Sequence, residues 1–216
     1  MLIRAWSGHE IQHTVLVTGT STLVVSLDEV KAHLRLDSTD TSEDTWLTMA
    51  ILAATDSVEK FLKRDLITKT YSTYLQSFVY EAIELRRAPL GSITSISYYD
   101  VNNALQTLPG TAYTTHVTNG FSMVTTAPEQ AWPDTYDRPQ AVQILFTAGY
   151  GASGSSVPAP IRMALLNLVA SVYSNRGDCD TGTCDCSGMI AGNVKSMLQP
   201  YRIAELNVNS PSQRLF

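Results

Sequence analysis

His9-Glu10-Ile11-Gln12-His13 is the run whose residue types and spacing come nearest to a known reaction chemistry. His-Glu-x-x-His holds a catalytic zinc when it lies on a helix. There the two imidazoles, four residues apart, share one face and the Glu activates a water. Here Gly8 precedes the run and Thr14-Val15-Leu16-Val17 follows it, a β-branched context that favours strand. Too few residues come before it to support a helix, so the spacing reads as coincidence in a terminal arm. A second cluster is Cys179, Cys184 and Cys186 in the loop from Gly177 to Gly188. Thiolates with neighbouring aspartates suit a soft metal. The spacing is not the paired C-x-x-C of a structural zinc site and no His is near, so exposed free thiols are the plainer reading. His33 has no second ligand one turn away. Gly149-x-Gly151 lacks the Gly-Lys-Ser/Thr of a phosphate loop and reads as a turn. No nucleophile–base pair and no spaced carboxylate pair stands out. The residues predict no catalytic site, no metal and no cofactor.

The elements that would position any site are clearer. The stretch from Ser42 to Asp65 carries Trp46, Leu47, Ala50, Ile51, Ala54, Val58, Phe61 and Leu62 at helical spacing. Asp56, Glu59, Lys60 and Lys63 fall on the opposite side. Ser42 reads as the N-cap, with Glu43 and Asp44 where the helix dipole favours negative charge. An earlier helix begins at Ser26, which forms a capping-box pattern with Glu29. Its apolar face is Leu27, Val30 and Leu34, leaving Lys31, His33 and Arg35 for solvent. Asp37 to Thr41 is a polar link, so the two helices form a hairpin.

From Leu66 the pattern changes to short strands. Thr68 to Leu75, Ile83 with Leu85, Ile93 to Tyr98, Tyr113 to Val117, Phe121 to Val124 and Val142 to Thr147 read as strands. Pro89-Leu90-Gly91, Asn102-Asn103 and Pro109-Gly110 read as turns between them. Pro158 and Pro160 open a helix from Ile161 to Asn175 that is apolar almost all round, so it needs partners on several sides. Val194 to Gln199 starts a short helix that Pro200 limits. The tail is polar but ends Arg214-Leu215-Phe216, the pattern of a docking segment.

The totals narrow the function. A chain of 216 residues with 44% hydrophobic and 16% charged content supports a real core. A net charge of −5 disfavours tight nucleic-acid binding, which a basic excess drives. Three cysteines in one loop make no disulfide framework and fit a reducing compartment. No signal-peptide core and no membrane-length apolar run is present. These traits predict a soluble protein.

Several stretches, taken together and in order, resemble the head–tail connector (adaptor) proteins of long-tailed bacteriophages. They are Ser26-Leu27-Asp28-Glu29-Val30-Lys31-Ala32-His33-Leu34-Arg35-Leu36; Ala53-Ala54 through Val58-Glu59-Lys60-Phe61-Leu62-Lys63-Arg64-Asp65-Leu66-Ile67; and Arg138-Pro139-Gln140-Ala141-Val142 running into Phe146-Thr147-Ala148-Gly149-Tyr150-Gly151. Val157-Pro158-x-Pro160-Ile161 running to Tyr173-x-Asn175-Arg176, and Pro200-Tyr201-Arg202, complete the set. The N-terminal arm and the cysteine loop lie outside it.

The resemblance implies an α+β fold: a helical core, made of the helical hairpin and two C-terminal helices, with a β-rich insertion between the second and third helices. The divisions are then 1–25 (extended N-terminal arm), 26–65 (helical hairpin), 66–151 (β-rich insertion), 152–203 (C-terminal helices) and 204–216 (docking tail). It further implies a structural virion protein rather than an enzyme. About a dozen copies would form a ring of closed cyclic symmetry. The ring would sit between the portal protein and the stopper or tail-completion protein, at the head–tail interface of a particle assembled in the host cytoplasm. Genomic DNA would pass through the lumen without specific binding, past a neutral or acidic wall, and no membrane is involved. By position, portal binding falls on the tail, with Leu206, Val208, Arg214, Leu215 and Phe216. Trp46, Met163, Leu166, Tyr173 and Arg176 are the candidate subunit interface. The alternatives are a zinc-dependent hydrolase using His9, Glu10 and His13, and a binding module with a peptide groove in the helical hairpin.

Overall fold

A computed structural model describes residues 12–78, 82–118, 120–175 and 192–203. The chain is α+β. Strand β1 (His13–Thr18) leads through an irregular segment to helix α1 (Leu27–Leu34) and helix α2 (Asp44–Leu62). Seven strands follow: β2 (Lys69–Leu75), β3 (Ile83–Leu85), β4 (Leu90–Tyr99), β5 (Leu105–Thr107), β6 (Tyr113–Thr118), β7 (Phe121–Thr126) and β8 (Val142–Ala148). Helices α3 (Ala159–Ser174) and α4 (Gly192–Leu198) close the described chain. Among the described residues no helix is long and apolar enough to cross a membrane.

The capping box forms as its sequence dictates. The Glu29 N–H donates to Ser26 Oγ at 3.1 Å, and the Ser26 N–H donates to Glu29 Oε2 at 2.8 Å. The same Glu29 also binds Arg162 of α3, so one carboxylate caps α1 and ties it across the helices. The Ser26 backbone N–H, and then Arg162, hold the Glu29 carboxyl below its ordinary range.

Lys31 departs from the solvated role its position suggested. Its side chain is buried, with Nζ 2.6 Å from Asp44 Oδ1 and donating to the Asp40 carbonyl at 2.7 Å. A long side chain can lay its stem on apolar surface and carry its charge to the α1–α2 link. Ser42 is not the cap of α2. Glu43 holds that position without a side-chain cap bond. The Ser42 N–H instead donates to Asp40 Oδ1 at 2.9 Å, and the Thr39 N–H to Asp37 Oδ1 at 2.9 Å. The link is thus built from two Asp side-chain turns, which compete with capping for the same donors.

Helices α1 to α4 share one buried cluster, with Val30, Leu47, Ile51, Val58, Leu62, Ile161, Leu165, Leu168 and Leu198 at its centre. Val24 and Val25, just before α1, enter it as well. The strands form a second cluster. Five strands run in the order β1-β2-β8-β4-β5, each antiparallel to its neighbours. Three more run β3-β7-β6. Strand β8 is the middle of the large sheet: Val142, Ile144, Phe146 and Ala148 are buried and alternate with half-buried residues. Ile83 and Leu85 of β3 and Val124 of β7 join Tyr71, Ile96, Ile144 and Phe146 in the second cluster.

Leu90 and Gly91 are not a turn. They begin β4, whose register against β8 shifts twice, between Leu90 and Ser92 and between Ile93 and Ser95. Those shifts break the alternation by which a strand is recognised. The Asn102-Asn103 turn does form: the Asn103 N–H donates to the Asp100 carbonyl at 2.7 Å, and Asn103 adopts φ 60. It joins β4 to β5, a strand too short and too exposed to show a pattern.

Gly149 ends β8 at φ +135, and a Cβ there would meet the backbone of Ile67 and Thr68 at 2.6 Å. Gly149→Ala should therefore cost about 3 kcal/mol, from strain and overlap together. Chemical denaturation would show it as a lower midpoint with an unchanged slope.

Candidate assembly surfaces

The sequence-selected interface residues lie along α3 and at the start of α2. Tyr173 meets Trp46 edge-on, with ring centroids 5.7 Å apart, and its hydroxyl donates to Glu43 Oε2 at 2.7 Å. Both rings are half-buried and pack on the helical cluster. They join the end of α3 to the first turn of α2. Leu166 is half-buried against the same cluster, while Met163 is 47% exposed. On α2, Met49 and Leu52 are exposed too, although the apolar stripe of that helix faces inward. Arg176, Leu206, Val208, Arg214, Leu215 and Phe216 lie outside the described residues.

A second constellation sits where α2 hands over to β2, and sequence reasoning missed it. Glu59, placed on the solvated side by its spacing, is half-buried. Its Oε1 accepts the Leu66 N–H at 2.8 Å and its Oε2 lies 2.6 Å from Lys69 Nζ. Lys69 also approaches Asp65 Oδ1 at 3.4 Å. Asp65 is buried, and its Oδ1 accepts the Tyr71 hydroxyl at 2.6 Å. The Asp65 N–H donates to the Ala88 carbonyl at 2.8 Å, and Arg87 lies over the Tyr71 ring at 4.8 Å. The available signal was four polar residues, Glu59, Asp65, Lys69 and Tyr71, within thirteen positions around a helix end.

Burial, then the hydrogen bond to Asp65, raises the Tyr71 hydroxyl above the usual tyrosine range. Two carboxylates, Glu59 and Asp65, share the single Lys69 ammonium, and Asp65 Oδ2 is buried without a hydrogen-bond partner. The chemistry of the cluster is that of a fastener between helix and sheet.

The start of the tail has its own anchorage. The Ile203 N–H donates to the Leu62 carbonyl at 3.1 Å, and Arg64 Nε donates to the Tyr201 carbonyl at 2.8 Å. The Arg202 guanidinium lies 5.1 Å from the centre of the Phe61 ring. Ile203, the last described residue, therefore lies beside the C-terminal end of α2.

The zinc-hydrolase alternative needs a helix at residues 9–13. His13 is exposed and begins β1, paired with Tyr74 of β2. His9 and Glu10 lie outside the described residues, as do Cys179, Cys184 and Cys186. Among the described residues no group of three His, Cys, Asp or Glu side chains converges on a metal position.

Comparison with known proteins gives a family-model match over part of the chain and several fold matches. Residues 24–115, from just before α1 to the start of β6, match the family described as phage gp6-like head-tail connector protein. No curated protein matches the chain. Among solved structures, the fold matches a chain of the neck of an empty gene transfer agent (GTA) particle computed with C6 symmetry. That match has 22% identity and a TM-score of 0.72, and covers 92% of this chain and 100% of the other. A chain of the native gene transfer agent virion matches at 22% identity and TM-score 0.69, covering 89% and 96%. A chain of the native particle's neck computed with C12 symmetry matches at 21% identity and TM-score 0.65, covering 91% and 100%. The head–tail connector resemblance read from the residues is borne out.

Tyr71→Phe should lower stability at neutral pH by about 1–3 kcal/mol, because Asp65 loses its donor. The pH dependence has a definite sign. Above about pH 10 the unfolded chain's tyrosines lose protons that the folded Tyr71 keeps, so stability falls as pH rises. Denaturation midpoints measured from neutral into alkaline pH should decline less steeply in Tyr71→Phe than in the unaltered protein.

Proposed function

We propose that this protein is a structural connector of a virion's head–tail interface, assembling with copies of itself into a ring of about a dozen. The observation that carries this reading is the connector-family match over residues 24–115. The whole-length fold match to particle-neck chains, solved in cyclic symmetries, supports it. In this reading the helices form the core and residues 66–151 are a β-rich insertion within it. The segment 1–25 is an N-terminal extension, 152–203 completes the core, and 204–216 is a docking tail. The ring sits between the portal and the stopper or tail-completion protein. DNA passes through it, and the protein carries out no reaction.

The physical features agree. The charged groups around Asp65 bind one another and the backbone, joining helix to sheet. The chain is acidic overall, which suits a wall past which DNA slides rather than one that holds it. The exposed Met163, with Leu166 and the Trp46–Tyr173 pair along one side, offers an apolar strip to a neighbouring copy. Arg176 extends that strip in sequence. Ile203, just before the tail in sequence, is held at the end of α2, which suits a following segment that inserts Leu206, Val208, Arg214, Leu215 and Phe216 into the portal. Assembly takes place in the host cytoplasm and the finished protein resides in the virion.

The test is the mass of the assembled particle. The full chain, alone or mixed with its portal, should give one large closed species by native mass spectrometry and a ring by electron microscopy. Persistence as a monomer with portal present would end the proposal. Met163→Glu should weaken the ring while leaving the circular dichroism spectrum unchanged. Removing residues 204–216 should leave the ring and abolish its capture by portal.

A further inference from the structure

We propose that neighbouring copies join edge to edge through the five-stranded sheet, β1 of one copy lying against β5 of the next. This deepens the ring reading above and depends on it. A ring needs two different surfaces on opposite sides of each copy, because a self-complementary patch closes a dimer and stops. The large sheet supplies such a pair. Its order, β1-β2-β8-β4-β5, leaves β1 and β5 as its two edges, with no described strand outside either.

Both edges are built to pair. Val15, Leu16 and Val17 are 39%, 50% and 55% exposed, and Leu105 is 63% exposed. Edge strands are ordinarily guarded by lysine, inward-pointing charge or proline. Neither His13–Thr18 nor Leu105–Thr107 carries a Lys, Arg, Asp, Glu or Pro. On β5, the Leu108 N–H donates to Ile96 and the Ala104 carbonyl accepts from Asp100, both toward β4. By the alternation of an antiparallel ladder, Leu105 and Thr107 turn their N–H and C=O groups outward. The register of β1 shifts between Leu16 and Thr18, so its regular ladder spans His13 to Leu16 and matches a short partner.

The directions also agree. Five strands that alternate in sense leave the first and last parallel, so a copy repeated around an axis presents β1 parallel to its neighbour's β5. The joint is short and weak alone, and closure of the ring sums it over every copy. The small sheet cannot do the same. Its β3 edge carries Glu84, whose carbonyl accepts from Gln12 at 2.6 Å. That leaves β6 alone, and one free edge does not close a head-to-tail ring.

Two variants of the full chain test the joint, Leu16→Lys on one edge and Leu105→Lys on the other. Both side chains are solvent-exposed, so the fold should persist by circular dichroism. Each variant alone should lose the ring and run as a monomer. Mixed in equal amounts with a chemical cross-linker, which captures a weak pair, they should give a species of two copies and nothing larger, because each retains the edge the other lacks. Rings of normal mass from Leu16→Lys would overturn the edge pairing and leave the connector reading intact. So would two monomeric variants that fail to combine. Absence of any closed assembly from the unaltered chain with portal would overturn both.

Discussion

The polar junction around Asp65 is the constraint on which this architecture depends. Helix α2 ends with Lys63 in the left-handed conformation, and six residues later β2 begins. In that short passage the chain must pass from a helical core to a sheet core with its polar groups partnered, and Asp65 Oδ2 alone of this set stays buried without a hydrogen-bond partner. Glu59 reaches forward to the Leu66 N–H and Lys69, and Asp65 reaches to Tyr71 and the backbone of Ala88. Breaking such a buried set exposes the whole desolvation cost of what remains, although the net gain from each bond is small. The junction therefore fixes geometry more than it adds stability.

Around that junction the two cores divide the labour. The helices are stitched by single side chains that serve two masters. Glu29 caps α1 and binds α3, Lys31 spans the α1–α2 link, and Tyr173 joins α3 to both Trp46 and Glu43. The sheet is organised by β8, its last strand in the described chain, which inserts between β2 and β4. The sheet is thus incomplete until Gly149 is in place, immediately before the chain returns to the helical core.

What was legible in the sequence was whatever depends on local chemistry. The Ser26–Glu29 box, the alternation of Val142, Ile144 and Phe146, the Asn102-Asn103 turn and the proline-led start of α3 each encode their geometry within a few residues. What was not legible needed a distant partner. Lys31 looks solvated until Asp40 and Asp44 fold back over it, and Glu59 looks exposed until β2 brings Lys69 alongside. Strand β5 has three residues and no buried face, so it exists only as a partner for β4. Trp46 and Tyr173 both read from the sequence as candidate subunit-interface residues. That they touch each other is a property of the α2–α3 packing, and no period in the sequence carries it.

The anchorage at Ile203 has a mechanical consequence. A pull entering the chain from residue 204 reaches Leu62 and Arg64 before it reaches α4, because the Ile203 N–H and the Tyr201 carbonyl are fastened there. Tension would pass straight into the last turn of α2 and onward through Glu59 and Lys69 to the middle of the large sheet. The helix that precedes the tail in sequence is bypassed, and the molecule takes the load on its longest rigid member.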